Sequence, residues 1–288
     1  MKLLRFGPPG GEKPGLLDSR QTVRDLSGLV NELNPQSLAN VNLLETIRNT
    51  QPEDLPPVKN PVRIGPCVGG IGKVLCIGFN SKQHTKQMAV QSPQNHQDVV
   101  VFLKPSTAVC GPNDPILYSR MIKKLDWEAE LGVVIGKQGK YIEPSAAADH
   151  ILGYTCVNDL SDRYWQFETE DKQYTKAKGF DGFAPIGPYL VTRDEIENPS
   201  RLDIKLWVNG ALRQDFNTED YIRGPEEIVC YLSRFFTLMP GDVIAMGSGP
   251  GNAKSWGEDK FLKPGDRVTL EIEALGRQDR QVIEEPLR

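Results

Sequence analysis

Short apolar or alternating runs, separated by turns rich in glycine and proline, dominate this chain of 288 residues. Runs of about four to eight such residues, bounded by turn residues, predict β-strands. The predicted strands are Lys2–Phe6, Thr22–Leu26 (with a polar turn segment between these two), Lys73–Gly78, Asp126–Gly136, Ile151–Asn158, Leu202–Asn209, Val243–Met246 and Arg267–Ile272. Helical spacing of apolar residues predicts helices at Ser37–Arg48 and Pro225–Phe236. The predicted fold class is therefore mainly β, within the α+β group.

A proline-rich run, QPEDLPPVKNPVRIGP, follows the first predicted helix. Such a run can form neither a helix nor a central strand. It predicts a boundary near residue 70, between a small N-terminal α+β module at 1–70 and a main domain at 71–288.

The run DWEAELGVVIG, from Asp126 to Gly136, places two carboxylates at the start of an apolar strand. Because side chains alternate along a strand, Glu128 and Glu130 point to the same face. Two like charges on one partly buried face repel unless a cation lies between them, which indicates half of a site for a hard metal ion. Solvated glutamates on an edge strand are the alternative, but the apolar run Leu131–Ile135 favours an interior strand.

A third carboxylate, Asp159, stands where the predicted strand Ile151–Asn158 gives way to a loop. Three carboxylates without a nearby histidine suit an oxygen-loving cation such as Mg²⁺ or Mn²⁺, whereas zinc prefers histidine or cysteine. Taken alone, Asp159 is better explained as a turn or helix-capping residue ahead of Ser161 and Asp162.

Basic residues near these carboxylates are further candidates. His84 lies in a polar segment after a buried strand, where a rigid scaffold would hold a general base, although a lone histidine is more often structural. Arg163 could balance the carboxylates or bind an anionic head group in bidentate fashion. The lysines of the loop 159–181, including Lys178, are also candidates, and the alternative for them is a solvated position on the surface. His96 and His150 are assigned no role.

Composition excludes several classes of protein. Hydrophobic residues make up 39% and charged residues 25%, the net charge is -4 and the pI is about 5.6, so no basic footprint for nucleic acid is present. No apolar run reaches the length of a membrane span, and glycine and proline interrupt the N-terminal residues before a signal-peptide core, so we expect a cytoplasmic protein. Five cysteines without a C-x-x-C pair predict free core thiols.

Four motifs together resemble the fumarylacetoacetate hydrolase family. The family patterns D-x-E-x-E-L, D-x-S-x-R and K-x-F-D read here as DWEAEL, DLSDR and KGFD, and the family's Gly-rich turn reads as GSGPG. They occur in the family's order over about residues 70–275. The opening MKLLRFGPPGGEKPGLLD resembles the subgroup labelled ureidoglycolate lyase, 2,4-diketo-3-deoxy-sugar-acid hydrolase or acylpyruvase.

The resemblance implies a homodimeric enzyme with a mixed β-roll catalytic domain. It implies Mg²⁺ or Mn²⁺, with Ca²⁺ able to replace them in crystals, bound by Glu128, Glu130 and Asp159. The implied substrates are 2-oxo acids whose oxygens chelate the metal, so that a carbon-carbon bond of a β-diketo or acylpyruvate-type acid is hydrolysed through a metal-stabilised enolate. The positions that match the family's substrate contacts and catalytic groups are Arg163, Gln166, Ser248, Lys178 and His84.

Two departures from the family pattern fall on the substrate side. The family's His-x-x-Glu dyad, which activates water, reads His84 and Gln87 here, and Ser248-Gly249 stands where Thr-Pro is usual. An amide at Gln87 can orient the imidazole but cannot stabilise imidazolium as a carboxylate does. A lyase (decarboxylase) or isomerase acting on a related 2-oxo acid is therefore the first alternative, and a non-catalytic metal-binding homologue is the second.

Overall fold

The computed structural model describes residues 1–59, 61–87, 98–257 and 260–286. Its strands are β1 (Lys2–Phe6), β2 (Lys13–Leu17), β3 (Val23–Asp25), β4 (Val74–Gly78), β5 (Val100–Lys104), β6 (Val109–Cys110), β7 (Ile116–Tyr118), β8 (Leu125–Asp126), β9 (Ala129–Ile135), β10 (Ile151–Asn158), β11 (Ser161–Asp162), β12 (Ala184–Pro185), β13 (Leu190–Thr192), β14 (Asp203–Val208), β15 (Ala211–Asn217), β16 (Val243–Ala245), β17 (Arg267–Ile272) and β18 (Gly276–Glu284). Its α-helices are α1 (Pro35–Leu38), α2 (Val41–Asn49), α3 (Lys82–Gln87), α4 (Tyr174–Lys178), α5 (Pro225–Ser233) and α6 (Ala253–Trp256). The expectation of a mainly β fold is confirmed.

Two large sheets organise the described residues. One has nine strands in the order β3-β2-β1-β13-β10-β9-β16-β4-β5, and the other has five in the order β15-β14-β17-β18-β7. The main apolar core takes buried residues from both sheets, for example Leu131 of β9 and Leu206 of β14. Removing this apolar surface from water is the dominant favourable term in folding.

Strand β9 is interior, as its apolar sequence predicted. It pairs antiparallel with β10 on one side and with β16 on the other, and all seven of its residues are buried. The predicted strand is interrupted at its start, because Trp127 and Glu128 lie between β8 and β9. There the backbone N-H of Glu128 bonds to the side chain of Asn158 instead of a strand partner, at 3.0 Å.

The N-terminal residues differ from the sequence prediction in two places. The segment expected to be a polar turn contains β2, with buried residues that include Leu16 and Leu17. The helix expected at Ser37–Arg48 is divided into α1 and α2, because the Asn40 side chain accepts the N-H of Leu43 and so begins a second helix. Its predicted apolar stripe is broken there too, since Val41 is 65% exposed.

The helix predicted at Pro225–Phe236 is present as α5 but ends earlier, at Ser233. Phe235, one of the apolar residues in the range predicted to be helical, lies beyond the end of α5 and is exposed. The predicted boundary near residue 70 does not coincide with a break in the large sheet, since β1 pairs with β13. The division into domains 1–70 and 71–288 stays a prediction.

Candidate metal centre and active site

Three buried carboxylates meet where β9 begins and β10 ends. Glu128, Glu130 and Asp159 each offer one oxygen, and these three oxygens lie within 4.8 Å of one another. The antiparallel register explains the meeting, because Glu130 faces Val157 and the backbone N-H of Asp159 donates to the carbonyl oxygen of Glu128 at 2.8 Å. The side chains that the sequence placed on neighbouring strand ends are thus brought together.

Buried cations surround this cluster. The ammonium of Lys178 lies 2.5 Å from a carboxylate oxygen of Glu128 and 2.5 Å from one of Asp159. Burial disfavours its charge, but these carboxylates outweigh burial and raise the pKa of Lys178. Lys178 therefore stays protonated and faces the cluster with a permanent positive charge.

Lys104 contributes a second ammonium, 2.7 Å from Oδ1 of Asp159. It donates to the carbonyl oxygens of Leu160, Lys178 and Phe183, which occupies its three N-H groups. Oδ1 of Asp159 consequently has a charged neighbour but no hydrogen bond, although it is fully buried. This oxygen retains a lone pair for a further cation.

The donor set fits a divalent ion that prefers oxygen. All three side chains offer carboxylate oxygens, which are donors that Mg²⁺ and Mn²⁺ prefer, and Oδ1 of Asp159 is buried without a hydrogen bond. Burial and the charges of Asp159 and Glu128 raise the pKa of Glu130 well above its usual value. A divalent cation bound at this point would act in the opposite direction and favour the charged form of Glu130.

Arg163 is held from two sides by carboxylates. Its Nε donates to Asp126 at 2.7 Å, its Nη2 to Glu128 at 2.6 Å, and its Nη1 to the Gln166 side chain at 2.7 Å. Burial disfavours its charge, yet Glu128 and Asp126 raise the pKa of Arg163. Asp126, the first residue of the motif, thus has a positioning role that the sequence reasoning missed. The other oxygen of Asp126 accepts the N-H of Ala253 at the start of α6.

The Gly-rich turn after β16 completes the wall of the site. The backbone N-H of Gly247 donates to Glu130 at 2.8 Å. Next to it, Ser248 accepts a hydrogen bond from the Gln214 amide, also at 2.8 Å. The same buried Gln214 accepts the N-H of Ala129, so it ties the turn to the first residue of β9. Sequence reasoning missed Gln214, since nothing local to β15 indicates its partners.

His84 lies on α3 and is only 7% exposed. Its Nδ1 is buried without a hydrogen-bond partner. Burial is the main cause that lowers the pKa of His84, and Arg163 and Lys178 act in the same direction, whereas Glu128 and Asp126 oppose it. The imidazole is therefore neutral near pH 7 and has a lone pair available to accept a proton.

Gln87 follows His84 by three positions on α3, but its amide oxygen accepts the N-H of Gly251 at 3.2 Å. Its side chain thus connects the end of α3 to the Gly-rich segment. The hydrogen bond expected from the imidazole to this amide is not among the contacts of the described residues, where Nδ1 of His84 has none.

One cavity of about 40 Å³ joins these groups. Eight of the nine site residues predicted from the sequence line it, namely His84, Glu128, Glu130, Asp159, Arg163, Gln166, Lys178 and Ser248, and Gln87 is the exception. Phe79, Phe102 and Phe167 add apolar walls. This volume holds only a few water molecules, since one needs roughly 10 to 15 Å³ on this measure.

Comparisons with known proteins show to which family and fold the chain is similar. The sequence model of the fumarylacetoacetate (FAA) hydrolase C-terminal family matches residues 73–283. A relative in Burkholderia cenocepacia, provisionally named a hydrolase, is 44% identical over 279 residues, which cover 96% of this chain and 97% of the relative.

Solved structures resemble the whole chain. Maleylpyruvate hydrolase from Sphingobium sp. SYK-6, in complex with manganese(II) ion and pyruvate, has a TM-score of 0.82 at 25% identity, covering 99% of this chain and 100% of that one. The 5-carboxymethyl-2-hydroxymuconate delta-isomerase from Mycobacterium smegmatis has a TM-score of 0.77 at 29% identity and full coverage of both chains. Among the helices of the described residues, none combines the length and the apolar character that crossing a membrane requires.

Proposed function

The chain belongs to the fumarylacetoacetate hydrolase family, and on that premise we propose that it is a divalent-metal-dependent hydrolase of a β-diketo or acylpyruvate-type 2-oxo acid. The observation that supports this most is that three clustered carboxylates and a neutral histidine line the same buried cavity. Glu128, Glu130 and Asp159 would hold Mg²⁺ or Mn²⁺. When bound, such an ion supplies a Lewis acid that polarises the 2-oxo group and stabilises the enolate of the product.

Arg163 and Lys178 bind the anionic substrate in this proposal. Both keep their charge, because the neighbouring carboxylates raise their pKa values. Gln166 and Ser248 line the same cavity and offer polar atoms that orient the substrate. Burial strengthens each of these interactions, because competing water is excluded.

His84 acts as the general base toward water. It takes a proton from the water molecule, whose oxygen adds to the distal carbonyl carbon. The carbon-carbon bond then breaks and its electron pair remains with the 2-oxo acid as an enolate. The proton that His84 took from water passes to the enolate carbon, which gives the 2-oxo acid product and restores the neutral imidazole. The second product is a free carboxylic acid, so atoms and charge balance.

A lyase or isomerase is the second candidate, and Gln87 is the observation that favours it. Its amide bonds to Gly251 rather than to the imidazole, so the described residues provide His84 with no carboxylate partner on α3. Decarboxylation or isomerisation of a 2-oxo acid needs no activated water and would tolerate this arrangement. Among the relatives, the Mycobacterium smegmatis protein is an isomerase by name.

Proton NMR of the products distinguishes the candidates. Purified protein with Mg²⁺ or Mn²⁺ is offered acetylpyruvate, a longer acylpyruvate and oxaloacetate, with Glu128→Ala as the inactive control. Pyruvate plus a free carboxylic acid from the acylpyruvates supports hydrolysis. Pyruvate from oxaloacetate alone supports the decarboxylase, and metal binding without turnover of any of the three supports the isomerase or the non-catalytic homologue over the hydrolase.

We also propose that the chain assembles as a homodimer. Light scattering coupled to gel filtration tests this directly, because the mass would be twice the 32.1 kDa of one chain. A mass of one chain at micromolar concentration would contradict it.

A further inference from the structure

A buried chain of contacts connects the backbone of His84, through Ser81, to the carboxylate of Asp220, which lies 139 positions after Ser81 in the chain. The hydroxyl of Ser81 accepts the backbone N-H of His84 at 3.0 Å. The same hydroxyl donates its proton to a carboxylate oxygen of Asp220. Both side chains are buried, with Ser81 fully inaccessible and Asp220 8% exposed.

Asp220 also contacts the first turn of α3 directly. Each of its carboxylate oxygens lies 3.3 Å from the backbone nitrogen of Gln83, which donates to them. Ser81 and Asp220 thus share the N-H groups that the start of a helix leaves without an internal partner. The carboxylate also fixes the rotation of the Ser81 hydroxyl, because it accepts the proton and leaves a lone pair directed at His84.

Asp220 is itself held in place by the segment that follows β15 of the five-stranded sheet. It ends a short 3-10 turn, Thr218–Asp220, that follows β15. Just beyond it, the N-H of Ile222 donates to the carbonyl oxygen of Asn80 at 2.7 Å. The Asn80 amide in turn donates to the carbonyl oxygen of Met246, next to the Gly-rich turn, at 2.8 Å. The residues that hold the first turn of α3 are therefore connected by hydrogen bonds to the Gly-rich turn in the wall of the site.

The position of helix α3 depends on its contacts with Ser81 and Asp220. Its described residues number six, too few to be stable on their own, because forming the first turn of a helix costs more free energy than it gains. Of its side chains, His84 and Thr85 are buried, so few apolar contacts hold the helix in place. The contacts with Ser81 and Asp220 are consequently a large part of what fixes the imidazole in the cavity.

We propose that Asp220 is a positioning residue that holds His84 in the active site through Ser81. The catalytic part of this proposal rests on the proposed function, in which His84 is the general base. The geometric part, that Asp220 keeps the imidazole buried, does not depend on that function. Asp220 is not among the residues that line the cavity, so it acts through α3 and not on the substrate.

Diethylpyrocarbonate labelling, read by mass spectrometry at each histidine, tests the geometric part without any assay of activity. In Asp220→Ala we expect His84 to be labelled at least about fivefold faster than in the wild type, since release of α3 exposes an otherwise buried imidazole. His150, which is 8% exposed and bonded to the carbonyl oxygen of Lys137, is the internal reference and should keep its rate. Equal acceleration at both histidines would indicate general unfolding and would overturn the proposal.

Asp242→Ala is the matched control. Asp242 is also a buried carboxylate that accepts backbone N-H groups, those of Lys73 and Met239, but it does not contact α3. It should leave the labelling rate of His84 unchanged. Asp220→Asn keeps an acceptor oxygen for Ser81 and Gln83, so His84 should be labelled almost as slowly as in the wild type. If Asp220→Ala does not fold, Ser81→Ala replaces it and should show the same faster labelling of His84.

A double-mutant cycle tests the catalytic part. Asp220→Ala should lower kcat by roughly 10- to 100-fold, because small misplacements of a catalytic group have effects of that size, while KM stays within about twofold. In a His84→Ala background the same change should have no further effect, because the two residues act as one unit. An equal loss in both backgrounds would refute the positioning role. Were the wild type inactive on every substrate offered, the proposed function would fail while the labelling result would still decide the proposal.

Discussion

At the scale of single residues, the site is a balance of buried charge. Four carboxylates, those of Asp126, Glu128, Glu130 and Asp159, face three cations, those of Lys104, Arg163 and Lys178. A buried charge is tolerated only when it is paired, so the excess of one carboxylate favours a bound cation. The raised pKa of Glu130 identifies it as the carboxylate with the least compensation.

Replacement of Gln87 by glutamate separates the two enzyme candidates. On a helix, positions three apart are neighbours, so a carboxylate there can accept the imidazole N-H and stabilise the imidazolium. A charge-assisted hydrogen bond is stronger by about 1 kcal/mol, so we expect Gln87→Glu to raise the kcat of hydrolysis roughly fivefold. Steady-state rates with an acylpyruvate measure this. A decarboxylase would show no such gain with oxaloacetate.

The pH dependence of kcat/KM should report His84. A general base works in its neutral form, and burial lowers the pKa of His84 below the usual 6.5. Activity should therefore be full near pH 7 and fall as the pH drops through a value below 6.5, because the imidazole becomes protonated there. A pH-rate profile from pH 4.5 to 8 measures this, and an acid limb centred above 6.5 would contradict the assignment.

At the scale of secondary structure, the junction between β10 and β13 connects the N-terminal strands to the strands that carry the carboxylates. Gly153 of β10 pairs with Thr192 of β13. A Cβ atom at Gly153 would lie 2.1 Å from the carbonyl oxygen of Val191, which no L-residue permits without a backbone shift. The sheet can close at this point only because the residue is glycine.

Gly153→Ala should therefore destabilise the protein by at least about 2 kcal/mol, as overpacking against backbone does. Gly28→Ala is the matched control, because a Cβ at Gly28 has nothing within 4 Å, and it should change stability by less than about 0.5 kcal/mol. Urea unfolding followed by fluorescence compares the two. Equal urea midpoints for the two variants would show that the backbone shift at residue 153 costs no free energy, which would contradict the prediction.

At the scale of the whole molecule, the site lies where residues of the two large sheets meet. Glu130 comes from the nine-stranded sheet, and Gln214, which ties the Gly-rich turn to β9, comes from the five-stranded sheet. Binding of a cation at the carboxylates would thus stabilise an arrangement that both sheets share. Stability and metal binding are linked, because the unfolded chain cannot assemble the three oxygens.

Removal of divalent metal should lower the thermal midpoint. With Mn²⁺ at about 100 times its Kd, linkage predicts roughly 2.7 kcal/mol of stabilisation, or about 5 °C for a chain of this size. Scanning calorimetry after treatment with EDTA, and again after Mn²⁺ is restored, measures the difference. Glu130→Gln should remove most of the response, and an equal response in this variant would place the ion elsewhere.

Local patterns in the sequence were enough to predict about half of the observed strands and the candidate ligands. Short apolar or alternating runs identified β4, β10 and β14. The order of four short motifs identified Glu128, Glu130 and Asp159 as one group. Patterns failed where a single side chain changes the local structure. Asn40 divides a helix that apolar spacing alone would continue, and β2 is hidden by the proline and glycine of KPGLL.

The tertiary structure alone decided which distant residues support the site. Gln214 meets Ala129 across 85 positions of the chain, and Asp220 meets Ser81 across 139. Such contacts follow from the order and register of strands in two sheets, which side-chain periodicity does not encode, because each strand presents the same alternation whatever its neighbour. The sequence by itself therefore determined the chemistry of the carboxylate cluster, and only the fold decided how its charges are paired and how His84 is held beside it.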